Sequence, residues 1–433
     1  MQRKQSFKIL GGILILMALT LALGGISGAQ VSYKVIYPTG SGYGDCYYPH
    51  AAVIFDAAGN LYGTCPAGGS TDWGTVFELS PNPDGTWTPS VLYTFPSCGS
   101  PVGPGGGCPL APVIFDANGN LYGTAVAGGL PGCTVWAGYG CGVVFELTPN
   151  SGGAWSESVL YTFTGGADGA NPFAGLVLDA TGNLYGTTAG GGTDGYGVVF
   201  KLTPGSGGNW TESVLHSFTG GDDGAYPQAS VIFDAAGNLY GTAAGGFHGQ
   251  GVIFKMAPNP DGSWSETVIR TGSRLGSNPY GGLIFDKAGN LYGTVSTDKI
   301  GGWGNGAVFE LTPNPDGSWT PQLLYRFIPG GSDGSNPQAT LTFDSAGNLY
   351  GTTVNGGIVN CGNYSGCGTV FQLRPNSEGG WTERVIHRFV GGEIDGYPYA
   401  GVTFDKAGNL YGAAAWFFGD IFEISPSPGQ PGR

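Results

Sequence analysis

Phe233-Asp234-Ala235-Ala236-Gly237-Asn238-Leu239-Tyr240-Gly241 decides the fold, because it sets an Asp-x-x-Gly-Asn turn between two apolar runs. A carboxylate opening such a turn accepts hydrogen bonds from the turn amides, and Gly supplies the positive φ of the reversal. The pattern recurs with its Asp at Asp56, Asp116, Asp179, Asp234, Asp286, Asp344 and Asp405, Leu178 replacing the Phe of the third copy. All seven aspartates read as turn formers rather than catalytic acids. After each hairpin come a variable stretch, a strand such as Val144 to Pro149, a second turn, and a strand such as Trp155 to Thr162. Four short antiparallel strands per repeat, here termed A to D, make one blade, and seven repeats predict an all-β, seven-bladed β-propeller.

The split of the last repeat predicts how the ring closes. Repeat seven contains A (Val402 to Phe404), B (Leu410 to Gly412) and C (Asp420 to Ile424) but no D strand, whereas Val31 to Tyr37 carries a D-like pattern at the other end of the chain. The N-terminal strand is therefore expected to complete the last blade, within one domain over 30–425 followed by a short disordered tail, 426–433.

Composition fits this reading. Of 433 residues, 85 are Gly, about one in five against a usual ~7%, yet 41% are hydrophobic and 13% aromatic, which excludes a disordered linker. Glycine is not at every third position, which excludes collagen. Residues 1–29 read as a secretory signal peptide: Arg3, Lys4 and Lys8 form the basic region, Ile9 to Leu23 the apolar one, and Ser27-Gly28-Ala29 the cleavage site. A retained anchor is the alternative. Cleavage leaves 13 cations against 30 anions, which argues against nucleic acid and anionic membranes as partners. The mature protein is expected to be a secreted monomer, extracellular or periplasmic.

The recurrent Gly-Asn-Leu-Tyr-Gly-Thr, Val-Phe-Glu-Leu-Thr-Pro and the run Val159 to Gly169, V-L-Y-T-F-T-G-G-A-D-G, resemble the GloVer tandem-repeat family of secreted bacterial proteins over essentially all of residues 31–424. The resemblance implies export and a repeat array, often followed by a surface anchor, and implies no established activity. This chain departs from that layout by stopping just after repeat seven.

Spacing divides the molecule into a constant and a variable face. From the C-strand Phe to the D-strand Trp there are ten residues in all six complete repeats, whereas from the turn Asp to the C-strand Phe there are 17 to 29. Length variation thus lies in the B–C and D–A connections, which emerge on one face of an antiparallel blade. Trp73, Trp136, Trp303 and Trp416 fall in B–C connections, and all eight Cys fall in B–C or D–A connections. Loops on a rigid scaffold commonly carry binding. Local pairing joins Cys46 to Cys65, Cys98 to Cys108, Cys133 to Cys141 and Cys361 to Cys367, each worth roughly 2 to 3 kcal/mol in an oxidising compartment. Zinc is the weaker alternative, since no paired C-x-x-C is present.

A Pro stands seven residues before every turn Asp, and the residue after it changes from blade to blade: His50, Leu110, Phe173, Gln228, Tyr280, Gln338 and Tyr399. In a propeller these ring the channel mouth on the variable face, where aromatics and amides suit sugar rings or an extended peptide. Packing above strand A is the alternative. Asp168, Asp223, Asp333 and Asp395 precede Gly-x-x-Pro and are candidate calcium ligands, with Asx-type turns as the simpler explanation. No other cofactor is expected.

Catalytic signals are sparse. There is no nucleophile elbow, metal-binding His pair or phosphate loop. His216 and His387 replace a D-strand Tyr, leaving His50 and His248 on the variable face. Acids that break the repeat are Asp72, Asp194, Asp298, Glu393 and Asp420. The sequence therefore points first to a secreted, non-catalytic propeller that binds a glycan or protein. An enzyme acting on polysaccharide or lactone is the second reading, and a structural cell-surface protein the third.

Overall fold

The computed structural model describes residues 31–40, 46–96, 105–130, 139–246, 249–271, 275–297, 304–328, 332–357, 366–391 and 395–426. The expected signal peptide and the tail after Pro426 lie outside the described residues. Seven four-stranded antiparallel sheets are the seven blades of a closed ring. Blade four shows the pattern: A is Ile232–Phe233, B Leu239–Ala243, C Val252–Pro258 and D Trp264–Thr271. In the last blade Val31–Pro38 pairs antiparallel with Asp420–Pro426, so the two ends of the chain latch the ring.

The A–B hairpin forms as its residues require. Asp234 Oδ1 accepts from the backbone N–H of Ala236 and Asn238, both at 2.9 Å, and Oδ2 accepts from Asn238 Nδ2 at 2.7 Å and the Tyr240 hydroxyl at 3.1 Å. Gly237 takes φ +84°. At Asp179 burial raises the pKa, but hydrogen bonds from Asn183 and Thr181 outweigh it and hold the carboxyl down to about 2. The motif aspartates thus serve the turns.

Each blade is built around one Phe–Gly contact. The C-strand phenylalanines Phe77, Phe145, Phe200, Phe254, Phe309, Phe371 and Phe422 are all at most 1% exposed. Each ring lies over the Gly of Leu-Tyr-Gly in strand B, where an added Cβ would sit 2.5 to 2.7 Å from the ring tip. These glycines do not have positive φ; they are required for space.

The same rings join neighbouring blades. The Phe that follows strand D packs edge-to-face on the next C-strand Phe in five junctions, with centroids 5.1 to 5.4 Å apart: Phe95 on Phe145, Phe163 on Phe200, Phe218 on Phe254, Phe327 on Phe371 and Phe389 on Phe422. Where repeat four has Gly272 in that sequence position, Leu275 joins the core that holds Phe309. At the latch Tyr37 approaches Phe77 at 6.0 Å.

Buried hydroxyls supply direction. Thr64, Thr124, Thr187, Thr242, Thr294 and Thr352 each donate from strand B to a backbone carbonyl of the next blade, at 2.8 to 3.2 Å. Blade seven has Ala413 in this position, and Thr403 instead donates to Val53 O of blade one at 2.8 Å.

One strand residue breaks the pattern. Asp420 opens strand C of blade seven, where the other blades have Thr75, Val143, Val198, Val252, Ala307 and Thr369. It is 0% exposed, and neither carboxylate oxygen has a hydrogen-bond partner among the described residues. Burial, and then the nearby Asp395, hold its carboxyl well above the ordinary carboxylate range.

Two stability predictions follow from these contacts. Gly241→Ala drives a methyl into the Phe254 ring and should cost about 1–3 kcal/mol; an unchanged melting temperature would show that the contact does not hold the blade together. Asp420→Val should stabilise by about 1–3 kcal/mol by removing an unpartnered buried carboxyl. Because the folded pKa of Asp420 is raised, its contribution to stability is complete below the unfolded value and is lost as pH rises through the folded one. The gain from Asp420→Val should therefore grow from about pH 4 toward neutral. Thermal melts of parent and variant across this range measure it, and a gain that shrinks with pH would refute the assignment.

Candidate functional site

The variable face is assembled by short ladders between connections. In each blade from one to six the D–A segment bridges to the B–C segment, as Cys46–Tyr47 does to Ala67–Gly68 and Ala170 to Gly190. In blade seven Trp416 N–H donates to Gly396 O at 3.0 Å. The two connections thus run together on one side of the ring.

The seven prolines fix this face to the preceding blade. Each Pro Cδ rests on the positive-φ Gly that opens strand C of the blade before, as Pro172 does on Gly142 and Pro49 on Gly419, where an added Cβ would approach to 2.5 Å. The residue before each Pro is held at φ +54° to +60° although none is Gly: Tyr48, Cys108, Asn171, Tyr226, Asn278, Asn336 and Tyr397. Such a backbone suits the three Asn but is costly for the three Tyr and Cys108, where it persists only because surrounding bonds over-determine it. Those bonds are present. Each N–H donates to a carbonyl in the preceding blade's B–C connection, as Asn171 does to Cys141 and Tyr397 to Cys367, both at 2.7 Å.

Its carbonyl accepts in turn from the residue after strand B of its own blade, as Asn171 O does from Ala189 at 3.0 Å. Blade one has Pro66 at that place, which has no N–H. There His50 Nδ1 donates to Tyr48 O at 2.6 Å. A carbonyl only accepts, so Nδ1 carries the proton and Nε2 is left as an acceptor. Burial lowers the His50 pKa, against the opposing effect of the Tyr48 carbonyl, and so favours the neutral ring.

His50, Leu110, Phe173, Gln228, Tyr280, Gln338 and Tyr399 line one cavity of about 340 Å³ with the two to four residues that follow each of them. Among the described residues no acid, Lys or Arg lines it. His50 and Tyr399 stack at 4.8 Å.

The remaining candidates lie elsewhere. Trp73 is half-buried against the core between blades one and two and 5.7 Å from Tyr139, and Trp416 tilts against Tyr397 at 4.7 Å. Trp136, Trp303 and His248 lie outside the described residues. Asp168, Asp223, Asp333 and Asp395 are spread over four inter-blade junctions, and each is engaged in its own turn. Asp168 accepts from Thr164 N–H at 2.8 Å and Asp223 from Thr219 N–H at 2.8 Å. Asp333 accepts from Ile328 N–H at 3.0 Å and Asp395 from Val390 N–H at 3.1 Å. Among the described residues no three His, Cys, Asp or Glu side chains converge as metal ligands.

Three of these aspartates act on the next blade. Burial first, and the neighbouring Asp168, Asp223 or Asp333 second, push Glu212, Glu266 and Glu383 up to about 7. His216 bonds Asp223 at 3.2 Å, and His387 stacks on Tyr33 at 3.8 Å, so both are structural. Of the irregular acids, Asp72 receives Gly68 N–H at 3.2 Å, Asp194 is exposed, and Asp420 is buried within its blade. None of these three lines the cavity. Asp298 and Glu393 lie outside the described residues.

Cys46 and Cys65 form a disulfide, and Cys141 and Cys367 are also disulfide-bonded. Their expected partners Cys133 and Cys361, and the partner expected for Cys108, Cys98, lie outside the described residues.

Beside the cavity opens a cleft of about 520 Å³ that sequence reasoning did not find. Its lining includes Tyr48, Asn336, Asn355, Tyr397 and Phe417. The available signal was the run Trp416-Phe417-Phe418 inside the shortest B–C connection of the chain, 17 residues from Asp405 to Phe422.

No curated protein matches the sequence. Among solved structures, a Thermus thermophilus protein assigned as an oxidoreductase of the glucose dehydrogenase type is similar at 14% identity and TM-score 0.38, over 91% of this chain and 99% of that one. An ancestral GH74 enzyme is similar at 11% identity and TM-score 0.49, over 87% of this chain and 56% of its own. Neither likeness bears on what this chain binds. The Gloeobacter/Verrucomicrobia repeat matches residues 130–364, from the B–C connection of blade two to that of blade six and more than half of the chain, and the protein belongs to that repeat family.

Proposed function

We propose that this protein is a non-catalytic binding propeller that presents its variable face to a glycan or protein ligand outside the cytoplasm. The observation that carries this reading is the contrast at the seven prolines. Everything on which they rest repeats, whereas the side chains that follow them are a His, a Leu, a Phe, two Gln and two Tyr lining one uncharged cavity. A scaffold that repeats and a lining that does not is the arrangement expected of a recognition surface on a rigid support. Stacking on aromatic rings and bonding to amides select an uncharged, extended ligand. Glycoside hydrolysis uses a pair of carboxyl groups flanking the bond, and among the described residues the cavity lining carries none. The bonded cysteines favour an oxidising, extracytoplasmic setting.

The test compares the parent chain with a Phe173→Ala/Gln228→Ala/Tyr280→Ala variant on glycan arrays and in pull-downs from the surrounding medium. Ligand retention should fall about ten-fold or more, with no turnover by either protein in a hydrolase and lyase screen. Equal retention by a folded variant would reject the channel mouth, and turnover would reject the non-catalytic reading.

A further inference from the structure

We infer that the cleft at the seam of blades six, seven and one is an oligosaccharide site, and that its ligand is a neutral sugar chain. The inference rests on the variable face being a binding surface and narrows it to one place and one chemistry. The cleft shares His50, Gln338 and Tyr399 with the channel mouth and adds Tyr48, Tyr397, Trp416 and Phe417 as aromatic walls. Blade seven, whose Trp416 and Phe417 line it, has the shortest B–C connection of the chain. At about 520 Å³ it lies within the range of sites that enclose a small organic ligand.

Phe417 is the residue that sets this cleft apart. It is held at φ +53° and is 55% exposed. Positive φ is an outlier for a bulky side chain, and exposure of a phenyl ring gains nothing from burial. The same place, two residues before the Gly that precedes strand C, is also at positive φ in five other blades, but there it is Asp72, Gly140, Gly195, Gly249 or Gly366, and blade seven alone puts a bulky ring on it. The backbone around it is fixed by Gly419 N–H donating to Trp416 O at 2.8 Å. Gly or Asn would suit this position better for stability, so the ring is retained at a cost to the fold. Tyr48, 44% exposed at φ +57°, stands on the blade-one side of the same cleft.

Polar groups complete the match. Gln338 Nε2 donates to Asn336 Oδ1 at 3.2 Å, and Asn336 Nδ2 donates to Asn355 Oδ1 at 3.1 Å. This relay orders three side-chain amides and leaves Gln338 Oε1 as an acceptor and Asn355 Nδ2 as a donor. With His50 Nε2 as a second acceptor, the cleft offers both bond types that vicinal hydroxyls use. Among the described residues its lining has no acid, Lys or Arg, in a chain of net charge −14. Flat aromatic faces beside fixed amides, without charge, fit the apolar face and equatorial hydroxyls of a neutral pyranose chain better than a charged peptide or an anionic sugar.

Cellohexaose, xylohexaose, mannohexaose and laminarihexaose are the probes, titrated calorimetrically into the full chain. At least one should bind, and Phe417→Gly and Tyr48→Ala should each weaken it about ten-fold. Thr88→Ala on the opposite face should leave affinity unchanged. Phe417→Gly relieves the backbone, so its melting temperature should equal or exceed the parent's, which separates lost binding from lost folding. Parent-like affinity in both cleft variants would overturn the inference, as would loss of binding only in the channel-mouth variant, which leaves the broader proposal standing. Failure of all four sugars, with a protein captured through the variable face, would overturn the sugar assignment alone. Failure of every glycan and protein ligand would overturn both.

Discussion

The contact between a strand-C phenylalanine and a strand-B glycine is the constraint on which the rest of the structure depends. The ring occupies the space of the missing side chain, so the two strands are keyed at one register, and a one-residue slip would turn every side chain to the wrong face. Because the buried ring also receives the edge of the preceding blade's aromatic in most junctions, the same residue sets the blade and its angle to the next. Seven repetitions of one geometry close a circle. Where the aromatic is replaced, as by Leu275, the junction keeps apolar volume and loses only the edge-to-face geometry.

Closure places a special burden on the seam. Blade seven lacks the strand-B Thr and begins strand C with an acid, and it takes its fourth strand from the other end of the chain. Thr403 and Tyr37 replace the missing contacts. Blade seven also has the shortest B–C connection and contributes Trp416 and Phe417 to the aromatic cleft, so the least regular junction is also the one with the most distinctive surface. Strained backbone is tolerated there because inter-blade hydrogen bonds and Pro–Gly contacts fix it on both sides.

Much of the fold was legible in the sequence, because each blade is specified by local chemistry. Asp-x-x-Gly-Asn dictates a turn whatever surrounds it, and the invariant ten-residue spacing from Phe to Trp shows the C–D hairpin without a structure. The channel-mouth residues could be listed because Pro marks the same place in each repeat, and their equivalence in sequence becomes proximity once a ring closes. The cleft was not legible. Tyr48 and Asn336 share the repeat position before Pro, but no motif joins them to Phe417 or Asn355, which lie far off in the chain. The residues before the prolines showed no sign of positive φ, since that conformation is imposed by the neighbouring blade and not by their own side chains.

The sequence by itself determined the repeat, the strand order within a blade, the number of blades and the latch, since all of these rest on short-range turn chemistry and on periodic apolar residues. Only the tertiary structure decided which side chains share a surface. It buried Asp420, one of the acids that break the repeat, in its own blade, and it set each candidate calcium ligand into a separate turn. It also brought aromatic rings from blades one and seven and amides from blade six to a common cleft. The physical reason is that a side chain's neighbours across the ring depend on closure and connection length, quantities that no local pattern encodes.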